Sequence, residues 1–218
     1  MPQGIILVEV AGQSFQLHPF KVIFWEEQSS LLIADLHLGK TRHFRREGFW
    51  VPQSAGDQNY DKLMSLLLDL RPRRVIFLGD LFHSDYNQEW EALTDITKGF
   101  SEIQFDLVRG NHDRLSDHAY AKARIEVYEK PLLIDNILLS HEPLQDYIEK
   151  SYNLAGHIHP AVRLRGRGRQ SMRLPCFYFG ENQGILPAFG NFTGMANLSI
   201  KEGDRVFVVG DDQVIAVG

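Results

Sequence analysis

Five times along this chain a short hydrophobic run ends in a small or polar residue and then in a cluster of Asp, His or Asn. The five are Leu31-Leu-Ile-Ala-Asp-Leu-His37, Val75-Ile-Phe-Leu-Gly-Asp80, Leu107-Val-Arg-Gly-Asn-His-Asp113, Ile137-Leu-Leu-Ser-His141 and Tyr152-Asn-Leu-Ala-Gly-His-Ile-His159. Each run reads as a strand whose exit carries polar side chains. In open α/β sheets ligands bind beyond the carboxyl ends of strands, where loops converge, so five such endings predict one shared site. Six of the nine histidines, His37, His83, His112, His141, His157 and His159, lie in or just after these endings. Scattered core histidines would not concentrate in this way.

Runs rich in β-branched and aromatic residues predict strands over Ile5–Val10, Val22–Glu26, Leu31–Asp35, Val75–Gly79, Phe105–Arg109, Ile125–Tyr128, Ile137–His141, Asn153–Gly156, Cys176–Phe179 and Arg205–Val209. Helical spacing of Tyr60, Leu63, Met64, Leu67 and Leu70 predicts a helix over Asp57–Leu70, and Trp90, Leu93, Ile96 and Thr97 predict another over Asn87–Phe100. No linker, repeat or low-complexity tract divides the 218 residues, so a single domain over 1–218 is expected: an α/β (α+β) sandwich with flanking helices. The apolar fraction, 44%, is enough to bury a core and argues against disorder.

No apolar run exceeds five residues, and the first residues lack a basic stretch followed by a long apolar one. A soluble cytoplasmic protein without membrane association is expected. The lone Cys176 offers neither a disulfide nor a thiolate metal site, so any metal must be held by His, Asp, Glu or Asn. In Asp35-Leu-His37 and His157-Ile-His159 the i, i+2 spacing on an extended segment points both side chains to one face, so each pair is expected to ligate together. Asp80 follows Gly79 and Asn111 follows Gly110, and a glycine there lets the chain turn sharply and approach an ion.

The ordered set Asp-x-His, Gly-Asp, Gly-Asn-His-Asp, His and Gly-His-x-His resembles the calcineurin-like metallophosphoesterases. The resemblance implies two packed mixed β-sheets flanked by helices. It also implies two divalent metals, one held by Asp35, His37, Asp80 and His159, the other by Asp80, Asn111, His141 and His157, with Asp80 bridging. Two such ions can share a water, lower its pKa towards neutrality and neutralise the attacking and leaving oxygens of an in-line displacement at phosphorus. Imidazole, carboxylate and amide ligands without thiolate favour Mn2+, with Fe or Zn2+ as alternatives, over Ca2+ or Mg2+. His112 lies beside Asn111 but outside the ligand set, and is the candidate to stabilise or protonate the leaving alkoxide. Asp113 is expected to orient the loop rather than bind metal.

Two features narrow the substrate. Protein phosphatases of this superfamily carry an Asp followed by Arg-Gly three residues after the bridging Asp. Here the run is Gly79-Asp80-Leu-Phe-His83, which looks like the double-strand-break repair nucleases of the superfamily. Two roles are open to His83: assisting the leaving group and placing the substrate, or bonding a neighbouring loop. Asp35-Leu-His-Leu-Gly-Lys40 with Phe44-Arg45, His157-Ile-His-Pro-Ala-Val-Arg-Leu-Arg-Gly-Arg-Gly-Arg169, Leu174-Pro-Cys-Phe177 and Leu186-Pro-Ala-Phe-Gly-Asn-Phe-Thr-Gly194 look like the ligase-associated DNA-damage-response endonucleases of bacteria. That resemblance implies DNA as partner, with a DNA ligase and a helicase in its functional neighbourhood.

Charge bears on the same point. The net −5 taken alone opposes a polyanionic partner, yet Lys150–Gly180 holds no Asp or Glu and six cations. Arg163, Arg165, Arg167 and Arg169 alternate, so on an extended segment all four project from one face, and Gly166 with Gly168 suggests a hairpin tip. Such a row matches phosphate oxygens; equally, it would solvate an exposed hairpin. Lys40, Arg42, Arg45 and Arg46 form a second basic patch. Two other functions fit the motifs: hydrolysis of a small phosphoester such as a nucleotide or pyrophosphate, and a metal-stabilised scaffold that binds proteins.

Overall fold

A computed structural model describes residues 4–38, 54–83, 86–145, 150–166, 170–190 and 193–217, with backbone alone at 54–57 and 165. The first sheet has seven strands in chain order: β1 (Ile6–Val10), β2 (Gln13–His18), β3 (Val22–Trp25), β4 (Ser30–Ile33), β5 (Arg74–Leu78), β6 (Gln104–Val108) and β7 (Ile125–Tyr128). Strands β1 to β4 pair antiparallel, and β4 to β7 pair parallel. The helices α1 (Ser54–Leu70), α2 (Gln88–Gly99) and α3 (Asp117–Lys122) lie between the parallel strands in sequence.

The second sheet holds β8 (Leu132–Ile134), β9 (Ile137–Ser140), β10 (Tyr152–Ala155), β11 (Pro160–Arg165), β12 (Ser171–Phe179), β13 (Gln183–Ile185), β14 (Ala196–Asn197), β15 (Arg205–Val209) and β16 (Val214–Val217). Its order is β14-β11-β12-β13-β10-β9-β8, with β15 and β16 branching from β12. Strand β10 runs parallel to both β9 and β13.

Strand alternation builds two cores from one sheet. Odd residues of the parallel strands, Leu31, Ile33, Val75, Phe77, Phe105 and Leu107, pack with Leu63, Leu67, Trp90, Leu93 and Tyr120 of the helices. Even residues, Leu32, Ala34, Ile76, Leu78 and Val108, pack with Ile137, Leu139, Leu154, Phe177 and Phe179 of the second sheet. Burial on both faces explains why these strands read as continuous apolar runs. The fully buried Asp106, the polar exception, is clamped by Arg74 and Gln104 on the same face. All three described helices share the first core, so they flank one sheet rather than both.

The sequence-predicted helices are present, with shifted ends. Asn87 is the N-cap of α2, its side chain accepting from the Glu89 amide, and α1 starts at Ser54 rather than Asp57. Strands β2, β8, β13, β14 and β16 and helix α3 were not predicted; most are short or mix exposed and buried positions. Among the described residues no helix is long and apolar enough to cross a membrane.

Candidate metal centre

The parallel strands of both sheets end at one seam, and the polar clusters leave from those ends. Asp35 and His37 follow β4, Asp80 follows β5, Asn111 and His112 follow β6, His141 follows β9, and His157 and His159 follow β10. Loop-to-loop backbone bonds hold the first two exits together: Asp35 N to Gly79 O (3.3 Å), His37 N to Asp80 O (2.8 Å), Leu38 N to Leu81 O (3.0 Å) and His83 N to Leu38 O (2.8 Å). Across the seam Gly79, at φ 75°, lies so close to the His141 ring that a Cβ there would overlap it.

Asp35, His37 and His159 each bring one donor atom within 4.8 Å of the others, and Asp80, His141 and His157 do the same. Asp80 spans the two groups, with Oδ2 3.7 Å from His37 Nε2 and Oδ1 3.5 Å from His141 Nε2. Asn111 Oδ1 lies 3.0 Å from His141 Nε2. Asp35 and Asp80 form a buried floor, while Asn111, His112 and His157 open towards solvent.

One expectation about local geometry is corrected. Asp35, His37, His157 and His159 are not on extended backbone: their φ angles are 52°, 48°, 66° and 52°, in the left-handed region, as is Asp80 at 51°. Strands β4 and β10 stop at Ile33 and Ala155, before the ligand candidates begin. Asp35 and His37 still meet in one group, but His157 and His159 separate, one into each group. Non-glycine residues seldom hold positive φ, and five doing so at one seam is backbone strain concentrated at a site.

The hydrogen bonds fix which ring nitrogens face inward. Carbonyl oxygens only accept, so His141 Nδ1–H donates to Leu78 O at 3.0 Å and His159 Nδ1–H donates to Gly194 O at 3.1 Å. In each neutral ring the Nε2 lone pair then points into the site. His159 Nε2 and Asp35 Oδ1, 3.4 Å apart and both buried, have no hydrogen-bond partner. Two facing lone pairs with no proton between them are what a cation would satisfy, so the donor set fits divalent metal ions.

The surrounding groups are held as firmly. His112 N donates to Asp80 Oδ1 at 3.0 Å, and the His112 ring lies 4.0 Å from the His83 ring, centroid to centroid, with His37 5.6 Å from His83 and 6.0 Å from His112. His83 therefore faces the centre. Asp113 accepts from the amides of Leu81 (2.9 Å), Phe82 (3.2 Å) and Gly110 (2.8 Å). Burial pushes its carboxyl up to about 6, against the pull of those amides. It ties the exits of β5 and β6 together, as the sequence suggested.

Of the basic residues, Arg163 is exposed on β11, directly opposite Arg173 on β12, and the β11–β12 ribbon is the expected hairpin. Lys40, Arg42, Arg45, Arg46, Arg167, Arg169 and the Arg165 side chain lie outside the described residues. The carbonyls of Leu78 and Gly194, which orient two histidines, left no signal in the sequence because any residue type supplies a carbonyl.

A sequence model of the calcineurin-like phosphoesterase family matches residues 29–194. A search of curated proteins finds no match. Among solved structures, the Pseudomonas putida nuclease MPE matches with a TM-score of 0.80 and 29% identity, over 98% of this chain and 100% of that one. The protein of unknown function AQ665 from Aquifex aeolicus matches at 23% identity and a TM-score of 0.39, over 64% and 82% of the two chains. The phosphoesterase Yfce from E. coli matches at 15% identity and a TM-score of 0.42, over 86% and 96%.

Proposed function

This chain belongs to the calcineurin-like phosphoesterase family and is a metal-dependent phosphoesterase, and from that premise we propose that it is a two-metal phosphodiesterase acting as an endonuclease on DNA in repair. The observation that carries the reading is Asp80, a member of one group of three donors with His141 and His157, turning its other carboxylate oxygen towards His37 of the second group. The nuclease of Pseudomonas putida, 29% identical over almost the whole chain, supports a nucleic-acid substrate.

Asp35, His37, Asp80 and His159 would hold one ion, and Asp80, Asn111, His141 and His157 the other. When bound, such a pair neutralises phosphate oxygens and makes a water acidic enough to ionise near neutral pH. The ligand chemistry favours Mn2+, with Fe or Zn2+ next. His112, held by its own amide on Asp80, presents its ring at the open side and gives a proton to the leaving oxygen. His83 packs on that ring and limits its rotation. Arg163, with Arg165, Arg167, Arg169 and the Lys40, Arg42 and Arg45 patch, takes the phosphates of the flanking strand. Both sheets supply ligands, so the chain acts as one domain. The lone buried thiol, Cys176, suits a cytoplasmic enzyme, and family resemblance makes a DNA ligase and a helicase the repair partners.

The test is a Mn2+-supplemented assay on single-stranded, duplex and nicked DNA and on bis-p-nitrophenyl phosphate. Cleavage of DNA and of the diester, each lowered at least about a hundredfold by Asp80→Ala and by His141→Ala, is the expected result. Full activity in both variants overturns the two-metal mechanism. Strong turnover of nucleotides or pyrophosphates with no cleavage of DNA overturns the substrate.

A further inference from the structure

Next to His159 a cavity of about 210 Å³ opens, lined by Lys21, Pro175, Gly190, Thr193 and Met195 among others. Lys21 sits in the turn between β2 and β3, half-buried, at φ 63°. Its ammonium has three protons to give, and the hydrogen bond recorded for it is a long one, 3.4 Å, to Gly190 O. That carbonyl is shared with the Thr193 hydroxyl. Among the described residues no carboxylate oxygen lies within 4 Å of Lys21 Nζ. The charged group that acts on it is another cation, Lys62 of α1, whose ammonium lies over the Phe20 ring at 5.7 Å. Burial and that like charge push Lys21 down to about 8.

Buried cations in proteins are ordinarily paired, because the charge loses its water and needs a partner in exchange. Lys21 has a carbonyl and a neighbouring cation instead, and it points into a space beside a metal ligand. Pro160, Pro175, Ala188 and Met195 give the wall an apolar part, and Thr193 and His159 are polar members of it. Strand alternation then continues the surface: Ala161 pairs with Pro175, and one step along the same face Arg163 pairs with Arg173. Arg173 in turn donates to the carbonyl of Met195, a residue of the cavity wall. Cation, apolar wall and arginine pair thus form one path leading from His159 to the β11–β12 ribbon.

We infer that Lys21 and this cavity form a subsite for the nucleotide next to the scissile phosphodiester, with the ammonium holding the adjacent, non-reacting phosphate and the Pro175 and Met195 wall taking the sugar or base. The inference rests on the DNA reading above. An anionic oxygen there would supply the acceptor that Lys21 lacks, and a substrate with a single phosphate cannot use it.

Full-length wild type, Lys21→Met and Lys21→Arg are compared on a single-stranded oligonucleotide and on bis-p-nitrophenyl phosphate, both with Mn2+, alongside the metal content of each protein. For Lys21→Met the KM for the oligonucleotide is expected to rise about tenfold, and the slope of log kcat/KM against log salt to become shallower by about 0.7. On the small diester kcat/KM falls no more than about twofold, metal content matches the wild type, and Lys21→Arg restores the oligonucleotide KM to within about threefold. Equal losses on both substrates, or lost metal, would show an effect on the metal centre and overturn the subsite. So would an unchanged oligonucleotide KM in Lys21→Met when the wild type cleaves that oligonucleotide. Wild type that turns over the small diester and leaves DNA intact refutes the DNA reading itself, and the subsite with it.

Discussion

The backbone amide of His157 donates a 2.8 Å hydrogen bond to Oδ2 of Asp35, joining the loop after β10 in one sheet to the loop after β4 in the other. The same carboxylate offers its second oxygen, Oδ1, to the centre, 3.4 Å from His159 Nε2. One fully buried side chain therefore closes the seam between the sheets and supplies a donor to a metal group. Assembly of the site and assembly of the sandwich are the same event at this point.

Gly156, immediately before His157, tests that coupling. A Cβ there would lie 2.6 Å from Asp35 Oδ2 and 2.8 Å from Ala34 Cβ, and neither neighbour is the loose end of a flexible chain. Gly156→Ala should cost about 1–3 kcal/mol in urea unfolding, as overpacking does. It should also weaken divalent-metal binding about 10–100-fold by displacing Asp35 and His157. Unaltered metal affinity, by calorimetric titration, would mean that the Asp35–His157 bond does not set ligand positions.

The Asp113 carboxylate is outside the candidate ligand set, and the buried amides of Leu81, Phe82 and Gly110 depend on it. Asn at this position keeps one acceptor and turns an NH2 towards a backbone N–H. At least one amide then loses its partner, which costs about 1–3 kcal/mol. Because Gly110 N is among the three, the Asn111–His112 loop loosens as well. Asp113→Asn is expected to lower kcat/KM about 10–100-fold with metal stoichiometry unchanged. Activity equal to wild type with an altered melting temperature would confine Asp113 to stability.

Two buried carboxylates, Asp35 and Asp80, and inward-facing histidine lone pairs converge at the seam. Binding of cations to the folded state alone must then stabilise it. At about a hundredfold excess over its dissociation constant a ligand adds about 2.7 kcal/mol. In a chain of this length that corresponds to a rise in melting temperature of roughly 5–10 °C. Differential scanning fluorimetry with Mn2+ and then with a chelator should show the rise and its reversal. Asp80→Ala should abolish most of it, and a variant that keeps the full shift would remove Asp80 from the metal site.

The parts of this centre that could be read from sequence share a physical cause. Strands β4, β5, β6, β9 and β10 are buried on both faces, so they appear as unbroken apolar runs, and their exits concentrate His, Asp and Asn. Residue type and order sufficed for the donor set. Backbone conformation did not show: the left-handed turns at His157 and His159 send neighbours two apart into different groups, and the mild preference of His for that region does not locate them. Strand β14 owes its pairing to β11, distant in sequence, while β8 and β13 are three residues long, too short for their own pattern to show. Lys21 was invisible for a related reason, since only the folded turn between β2 and β3 brings it beside His159.

The uncompensated ammonium of Lys21 also predicts how stability varies with pH in metal-free protein. Its pKa is about 8 in the folded chain against the ordinary 10.5 of an exposed lysine, lowered first by burial and then by Lys62; among the described residues His159 is the other titratable side chain lining the cavity. Between those two values the unfolded chain binds a proton that the folded chain does not, so this group makes stability rise with pH across that window. The penalty is fully present below about pH 8 and gone above about pH 10.5. A shift of this size is worth about 3 kcal/mol at most. Urea unfolding in the presence of chelator should find Lys21→Met more stable than wild type at pH 7.5, with the gap closing towards pH 10.5. The comparison between the two proteins cancels the alkaline titration of Cys176 and the tyrosines. A gap that stays constant over that range would mean that the Lys21 side chain affects stability through its packing and not through its charge.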